Sequence, residues 1–197
     1  MAGPEGVAES LERSTRLDEP TRIDFSWRLN ESGSRLAGVG VARIEPPYRA
    51  RLDLFLENGE SVISAALVDD DLRLPPGAPD DVLPPTDMLW ATLGVFRPVD
   101  GTRLLGGEEL EDGARRLRYA YESRGELRFE VVGDAVRSLE VLEGGAGVEW
   151  VRLEASEDGR YPNAAVYRNL VDFRELTIAR ESVRRTETFD PAIWDPR

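Results

Sequence analysis

Across residues 22–30 the odd positions are Ile23, Phe25, Trp27 and Leu29, and the even ones are Arg22, Asp24, Ser26, Arg28 and Asn30. A period of two without exception is that of a β-strand with one dry and one wet face. The pattern recurs along the chain. Residues 36–44 form a second run, with Gly38 and Gly40 on one side, where a sheet can bend or another element can approach closely. Tyr48, Ala50, Leu52, Leu54 and Leu56 alternate with Arg49, Arg51 and Asp53, and Asn58-Gly59 follows. That dipeptide predicts a type I′ hairpin turn, whose two central positions both require positive φ. Residues 61–69 are the returning strand and 72–74 a short fifth.

Strands resume in the second half. Leu117, Tyr119 and Tyr121 alternate with Arg116, Arg118 and Glu122, and Leu127, Phe129 and Val131 alternate with Glu126, Arg128 and Glu130. Runs at 135–143, 148–156, 164–170 and 173–184 continue the series, separated by Gly144-Gly145, Asp158-Gly159 and Val171-Asp172. Val148 and Trp150 point opposite to Val151 and Leu153, which predicts a bulge or burial of both faces.

Two segments break the alternation. Residues 5–17, with Val7 and Leu11 one turn apart, read as a weak helix or an arm. Pro75, Pro76, Pro79, Pro84 and Pro85 remove donors that a central strand needs, and Thr86 or Asp87 then caps a short helix, Met88-Leu89-Trp90-Ala91-Thr92-Leu93, stopped by Gly94 and Pro98. This helix is apolar on nearly every side, so more than one of its faces must be buried. The expected fold is one mainly β domain over residues 1–197. It is a strongly curved antiparallel sheet, an open or half barrel of ten or eleven strands. An arm or weak helix occupies 1–20, and 75–113 is a Pro-rich loop and helical lid inserted between two meanders.

Composition narrows the chemistry. The chain holds no histidine and no cysteine, so the commonest general base, the commonest metal ligand and the thiolate nucleophile are all missing. No cofactor and no metal are expected. Asp69-Asp70-Asp71 and Glu154 with Glu157 and Asp158 are the obvious acid clusters for carboxylate catalysis, and both sit at turns, where solvated acids are the ordinary finding. Gly144-Gly145-Ala146-Gly147 lacks the lysine and following helix of a phosphate loop. All 25 basic residues are arginine against 38 acidic ones, a net charge of −13 that disfavours nucleic acid and anionic surfaces as non-specific partners. No run reaches the roughly 20 apolar residues of a membrane-spanning helix. The N-terminus lacks the basic and apolar parts of a signal peptide, so the chain reads as soluble.

The remaining feature is large apolar side chains on one face: Phe25, Trp27, Leu29, Leu52, Leu54, Leu56, Tyr119, Tyr121, Leu127 and Phe129, with Met88, Trp90 and Leu93 from the short helix above them. They form either an ordinary core or the lining of an apolar cavity. A helix of about 8 residues is about 12 Å long, and it covers only part of such a sheet.

The run 48–59, its returning strand through Leu67 and Leu72-Arg73-Leu74, and the segment 83–94 resemble the LolA and LolB family, the periplasmic lipoprotein carrier and outer-membrane lipoprotein receptor. The resemblance spans residues 23–188 as a layout, without a matched invariant motif. It implies an incomplete barrel closed by a helical lid, with lipid or lipoprotein acyl chains held between them. It also implies the periplasm, or the periplasmic face of the outer membrane, of a Gram-negative bacterium, envelope proteins as further partners, and a targeting segment that these residues do not include. The lipidated cysteine of the receptor type is absent. Arg28, Arg43, Arg49 and Arg51 all fit the position of the carrier's strand arginine, so no role is assigned to any of them. Two readings follow: a non-catalytic binding protein for an apolar chain, expected to show a cavity, and an envelope scaffold of the same fold, expected to show a filled core. A carboxylate hydrolase ranks below both.

Overall fold

The computed structural model describes residues 3–79, 81–122, 124–157 and 160–196. Helix α1 (Pro4–Thr15) precedes a first meander of β1 (Thr21–Glu31), β2 (Ser34–Glu45), β3 (Arg49–Leu56), β4 (Ser61–Val68) and β5 (Asp71–Arg73). Helix α2 (Thr86–Thr92) leads into a second meander of β6 (Thr102–Glu109), β7 (Arg115–Tyr121), β8 (Gly125–Val132), β9 (Ala135–Glu143), β10 (Ala146–Glu154), β11 (Ala164–Asn169) and β12 (Arg174–Arg185). A single turn of 3-10 helix, Pro191–Trp194, follows. Among the described residues the strands make one antiparallel sheet in the order β5-β4-β3-β2-β1-β12-β11-β10-β9-β8-β7-β6. The sheet is open and curved, with β5 and β6 as its edges.

Alternation decides which face is concave. Ile23, Phe25, Trp27 and Leu29 are buried while their neighbours on β1 are not, and Leu52 and Leu54 on β3, Tyr119 on β7, and Leu127 and Phe129 on β8 join them in one apolar cluster with both helices. Two glycines on β2 make this close packing possible. A Cβ on Gly40 would lie 2.3 Å from the Phe25 ring, and one on Gly38 would lie 1.9 Å from the Phe55 carbonyl oxygen. Across that gap the Trp27 indole N–H donates to the carbonyls of Val39 and Phe55, at 3.0 and 3.2 Å.

Four sequence expectations need revision or are completed by the coordinates. The sheet has twelve strands rather than ten or eleven, because β6 lies inside the 75–113 stretch read as loop and lid. It is an edge strand, mostly exposed, with a register shift at Leu104/Gly106, so it carries little apolar alternation. The Asn58-Gly59 turn is not type I′: only Gly59 has positive φ, and Gly59 N–H bonds to Leu56 O while Leu56 N–H bonds to Glu60 O, a type I turn followed by a glycine bulge. Positive φ at both central positions occurs instead at Gly144-Gly145 and at Ser32-Gly33. The weakened alternation near Trp150 corresponds to a register shift between Gly147 and Glu149 on β10. The proposed Asp158-Gly159 turn lies outside the described residues. Residues 4–15 form a docked helix rather than a free arm, with Val7 and Leu11 buried and α1 against β6 and β9.

Candidate functional site

The concave face and the segment that crosses it make the site. Helix α2 packs on β9, β10 and β11 with Met88, Leu89, Trp90 and Ala91 all buried. Of the residues singled out from the sequence, Phe25, Trp27, Leu29, Leu52, Leu54, Met88, Trp90, Leu93, Tyr119, Leu127 and Phe129 are buried, and Leu56 and Tyr121 pack half-buried against the same cluster. Trp90 meets Tyr48 edge to face at 5.8 Å. Tyr119 and Phe129 are met by Phe96, downstream of α2, at 6.4 and 4.8 Å. Phe96 therefore completes the cover, although as one aromatic residue between a glycine and a proline it carried no periodic signal. Burial holds the Tyr119 hydroxyl un-ionised, its pKa pushed up to about 12.

The interior is nearly filled. An apolar gap in it, lined by Phe25, Ala42, Leu52, Leu93, Tyr161 and Ile178 among others, measures about 30 Å³. That is room for about two water molecules, whereas pockets for small ligands typically run to about 300–1,000 Å³.

What holds the cover down is a set of side-chain clamps. Among the described residues, no backbone–backbone hydrogen bond joins 75–98 to the rest of the fold. Arg124, in the β7–β8 turn, donates to Asp87 of α2 at 2.8 Å and stands 3.0 Å from Glu149 on β10. Arg174 on β12 donates to Asp81 at 2.9 Å and to Glu31. At the far end Arg97 donates to Asp70 at 2.9 Å and stacks on Tyr48 at 4.2 Å, and the Trp90 indole N–H donates to Asp69 O at 2.7 Å. The Phe96 amide donates to Thr15 of α1 at 2.9 Å. Burial pushes Asp87 and Glu149 above the usual carboxylate range, only partly opposed by Arg124.

The first acid cluster thus has structural partners. Asp69 and Asp70 face Arg97, and Asp71 pairs with Arg73. Of the second cluster, Asp158 lies outside the described residues. No group of three or more metal-ligating side chains occurs among the described residues, and none of their helices is long and apolar enough to cross a membrane.

A polar cluster on the opposite face escaped the sequence reading. Asp53, at a nominally wet position, is buried and accepts hydrogen bonds from Arg43 at 2.5 Å, Arg51 at 3.1 Å and Ser64 at 2.6 Å. Burial raises its pKa, but the bonds from Arg51 and Ser64 and the two arginine charges outweigh it and hold the carboxyl below its ordinary range. The C-terminal segment covers this cluster, Arg51 donating to Ile193 O at 2.7 Å and Arg73 to Trp194 O at 3.1 Å.

An open antiparallel sheet with helices laid in its concave face is also the architecture of known proteins. Over 98% of this chain it superposes on a LolA superfamily protein from Nitrosomonas europaea, covering 98% of that chain at 8% identity with a TM-score of 0.68. The two chains share a fold. A putative outer membrane lipoprotein-sorting protein domain from Vibrio parahaemolyticus matches over 98% of this chain and 95% of its own, at 8% identity and a TM-score of 0.62. A DUF1329 family protein from Desulfovibrio piger does so over 98% and 95%, at 11% identity and 0.67. No family model matches this chain, and no curated protein does.

Proposed function

We propose that this chain is a non-catalytic binding protein of the Gram-negative cell envelope, one that takes a lipid or lipoprotein acyl chain onto its concave face when the cover lifts. The observation that carries this reading is the attachment of the cover: an apolar segment fastened by discrete side-chain clamps at its ends, and free of the backbone ladder, can move without breaking the sheet. A chain of 14 to 16 carbons gains on the order of 10 kcal/mol on burial, at about 0.8 kcal/mol per methylene. It would replace the contacts of Met88, Leu93 and Phe96 rather than enter an open pocket. The lipoprotein-sorting description of one structural neighbour supports the same class of ligand.

The test is titration of a fluorescent fatty-acyl probe into wild type and Leu54→Glu, once circular dichroism has established that the variant folds. Saturable binding to wild type, weakened by an unpaired buried carboxylate in the variant, is the expected result. The nearly filled interior favours a second reading, a scaffold of the same fold whose partners are envelope proteins. Absence of saturable binding to wild type, or equal binding by the folded variant, would put that reading in place of the first.

A further inference from the structure

One end of the sheet carries apolar side chains that the fold does not use. The β11–β12 turn presents Leu170, Val171 and Phe173 at 44, 64 and 80% exposure, and the strand registers place the β1–β2 turn, with Leu36 just beyond it, at the same end. Phe173 is also held at φ 52°, a conformation that costs a bulky residue energy and persists only where its surroundings impose it. The imposing group is Asn169, buried at the end of β11. Its carbonyl oxygen accepts from the amides of Val171 and Asp172, both at 2.9 Å. The fold thus presents an aromatic ring to solvent at the end of this turn.

Two cations flank the display. Arg28 and Arg35 are exposed beside Leu36 and have no ion pair or hydrogen bond among the described residues, in a protein whose net charge is −13. The same Asn169 reaches inward, its amide donating to Glu149 at 2.9 Å, and Glu149 is the partner of the arginine that clamps α2.

We propose that the β11–β12 tip is a docking element for a lipid surface, joined through Asn169 and Glu149 to the Arg124 clamp on the cover. A convex tip of a few apolar side chains is too small for a stable protein interface, which needs roughly 800 Å² per partner. It suits shallow insertion at the headgroup boundary, with arginines beside it meeting lipid phosphates. Docking disturbs the turn, and Asn169, buried at its β11 end, carries that disturbance to the clamp. The docking half stands independently, whereas the coupling half rests on the acyl-chain reading of the interior.

The experiment is flotation of the full chain with vesicles of phosphatidylcholine alone and of phosphatidylcholine with phosphatidylglycerol. Wild type should float with both, and Val171→Ser/Phe173→Ser should lose partition by about tenfold or more, while Leu105→Ser, at an exposed apolar position elsewhere, should not. Arg28→Gln/Arg35→Gln should lose only the increment that phosphatidylglycerol adds. A wild type that floats with neither vesicle, or a double serine variant that floats equally well, overturns the docking. Hydrogen exchange in residues 83–93 should accelerate on vesicles, and unchanged exchange in the floated protein overturns the coupling. Vesicle docking without acyl-probe binding would strike the reading of the interior and leave the tip in place.

Discussion

Removing the Arg124 charge gives the sharpest test of the clamp. In Arg124→Gln, Asp87 and Glu149 lose the guanidinium that stands 2.8 and 3.0 Å from them, and their side chains are only 4 and 9% exposed. At an effective dielectric constant of about 20, each contact is worth about 5–6 kcal/mol gross. Desolvating the three ions offsets much of that, at several kcal/mol per ion, so the expected loss on removing one partner is about 3–5 kcal/mol. Its pH dependence has a definite sign. Both carboxyls already have folded pKa values above their ordinary ones, so the folded state holds their protons more tightly than the unfolded chain does. The stability this confers is complete below the unfolded values and is lost as pH rises through the raised ones. Losing Arg124 raises both further, so the deficit should be largest at neutral pH and shrink toward about pH 5. Urea unfolding of wild type, Arg124→Gln and the triple variant with Asp87→Asn and Glu149→Gln measures it. The triple variant should recover most of the loss, because it buries amides rather than unpaired charge. A deficit under about 1 kcal/mol, or one that grows on acidification, would refute the reasoning.

Four further outcomes are expected. Gly38→Ala should cost about 3 kcal/mol in urea unfolding and Gly40→Ala about 1 kcal/mol, since the first new methyl meets a backbone carbonyl and the second the end of the Phe25 ring. Asp53→Asn should cost about 1–3 kcal/mol at neutral pH, with the difference from wild type vanishing as pH falls below the carboxylate range, because a depressed pKa contributes stability only above it. Leu54→Ala, at a fully buried position, should cost about 2–5 kcal/mol. Leu36→Ala, on the exposed end, should change stability by less than about 0.5 kcal/mol in the same denaturant series.

Period-two alternation made most of the sheet legible, because a strand buried on one face records that face in its sequence. Trp27, Leu52 and Phe129 could be assigned to the inside from their neighbours alone. The edge strand β6 has little to bury, so Leu104 among glycines and glutamates left almost no trace. Asp53 was misread for the opposite reason: its position is wet by parity, but the C-terminal segment, distant in sequence, lies over it. The clamps were invisible for the same cause, since Arg124 and Asp87, or Arg174 and Asp81, become neighbours only through tertiary folding. The extent of filling was also beyond the pattern, because an alternating strand reads alike whether its dry face meets a helix or a ligand.

The strand order also bears on how the chain reaches its fold. Every neighbouring pair in each meander is a local hairpin, and among the described residues the two meanders join as strands at the β1–β12 ladder, where Glu31 pairs with Arg174, 143 residues away. Closing a loop of that length costs about 4 kcal/mol of chain entropy, so this seam is the slow, late step and the hairpins are fast. The segment that crosses the concave face is also the tether that keeps the two halves at a high mutual concentration until the seam forms. A protein nicked in that segment after folding would keep every strand pair of its sheet, yet after denaturation its halves would have to find each other by diffusion, and their refolding would depend on concentration.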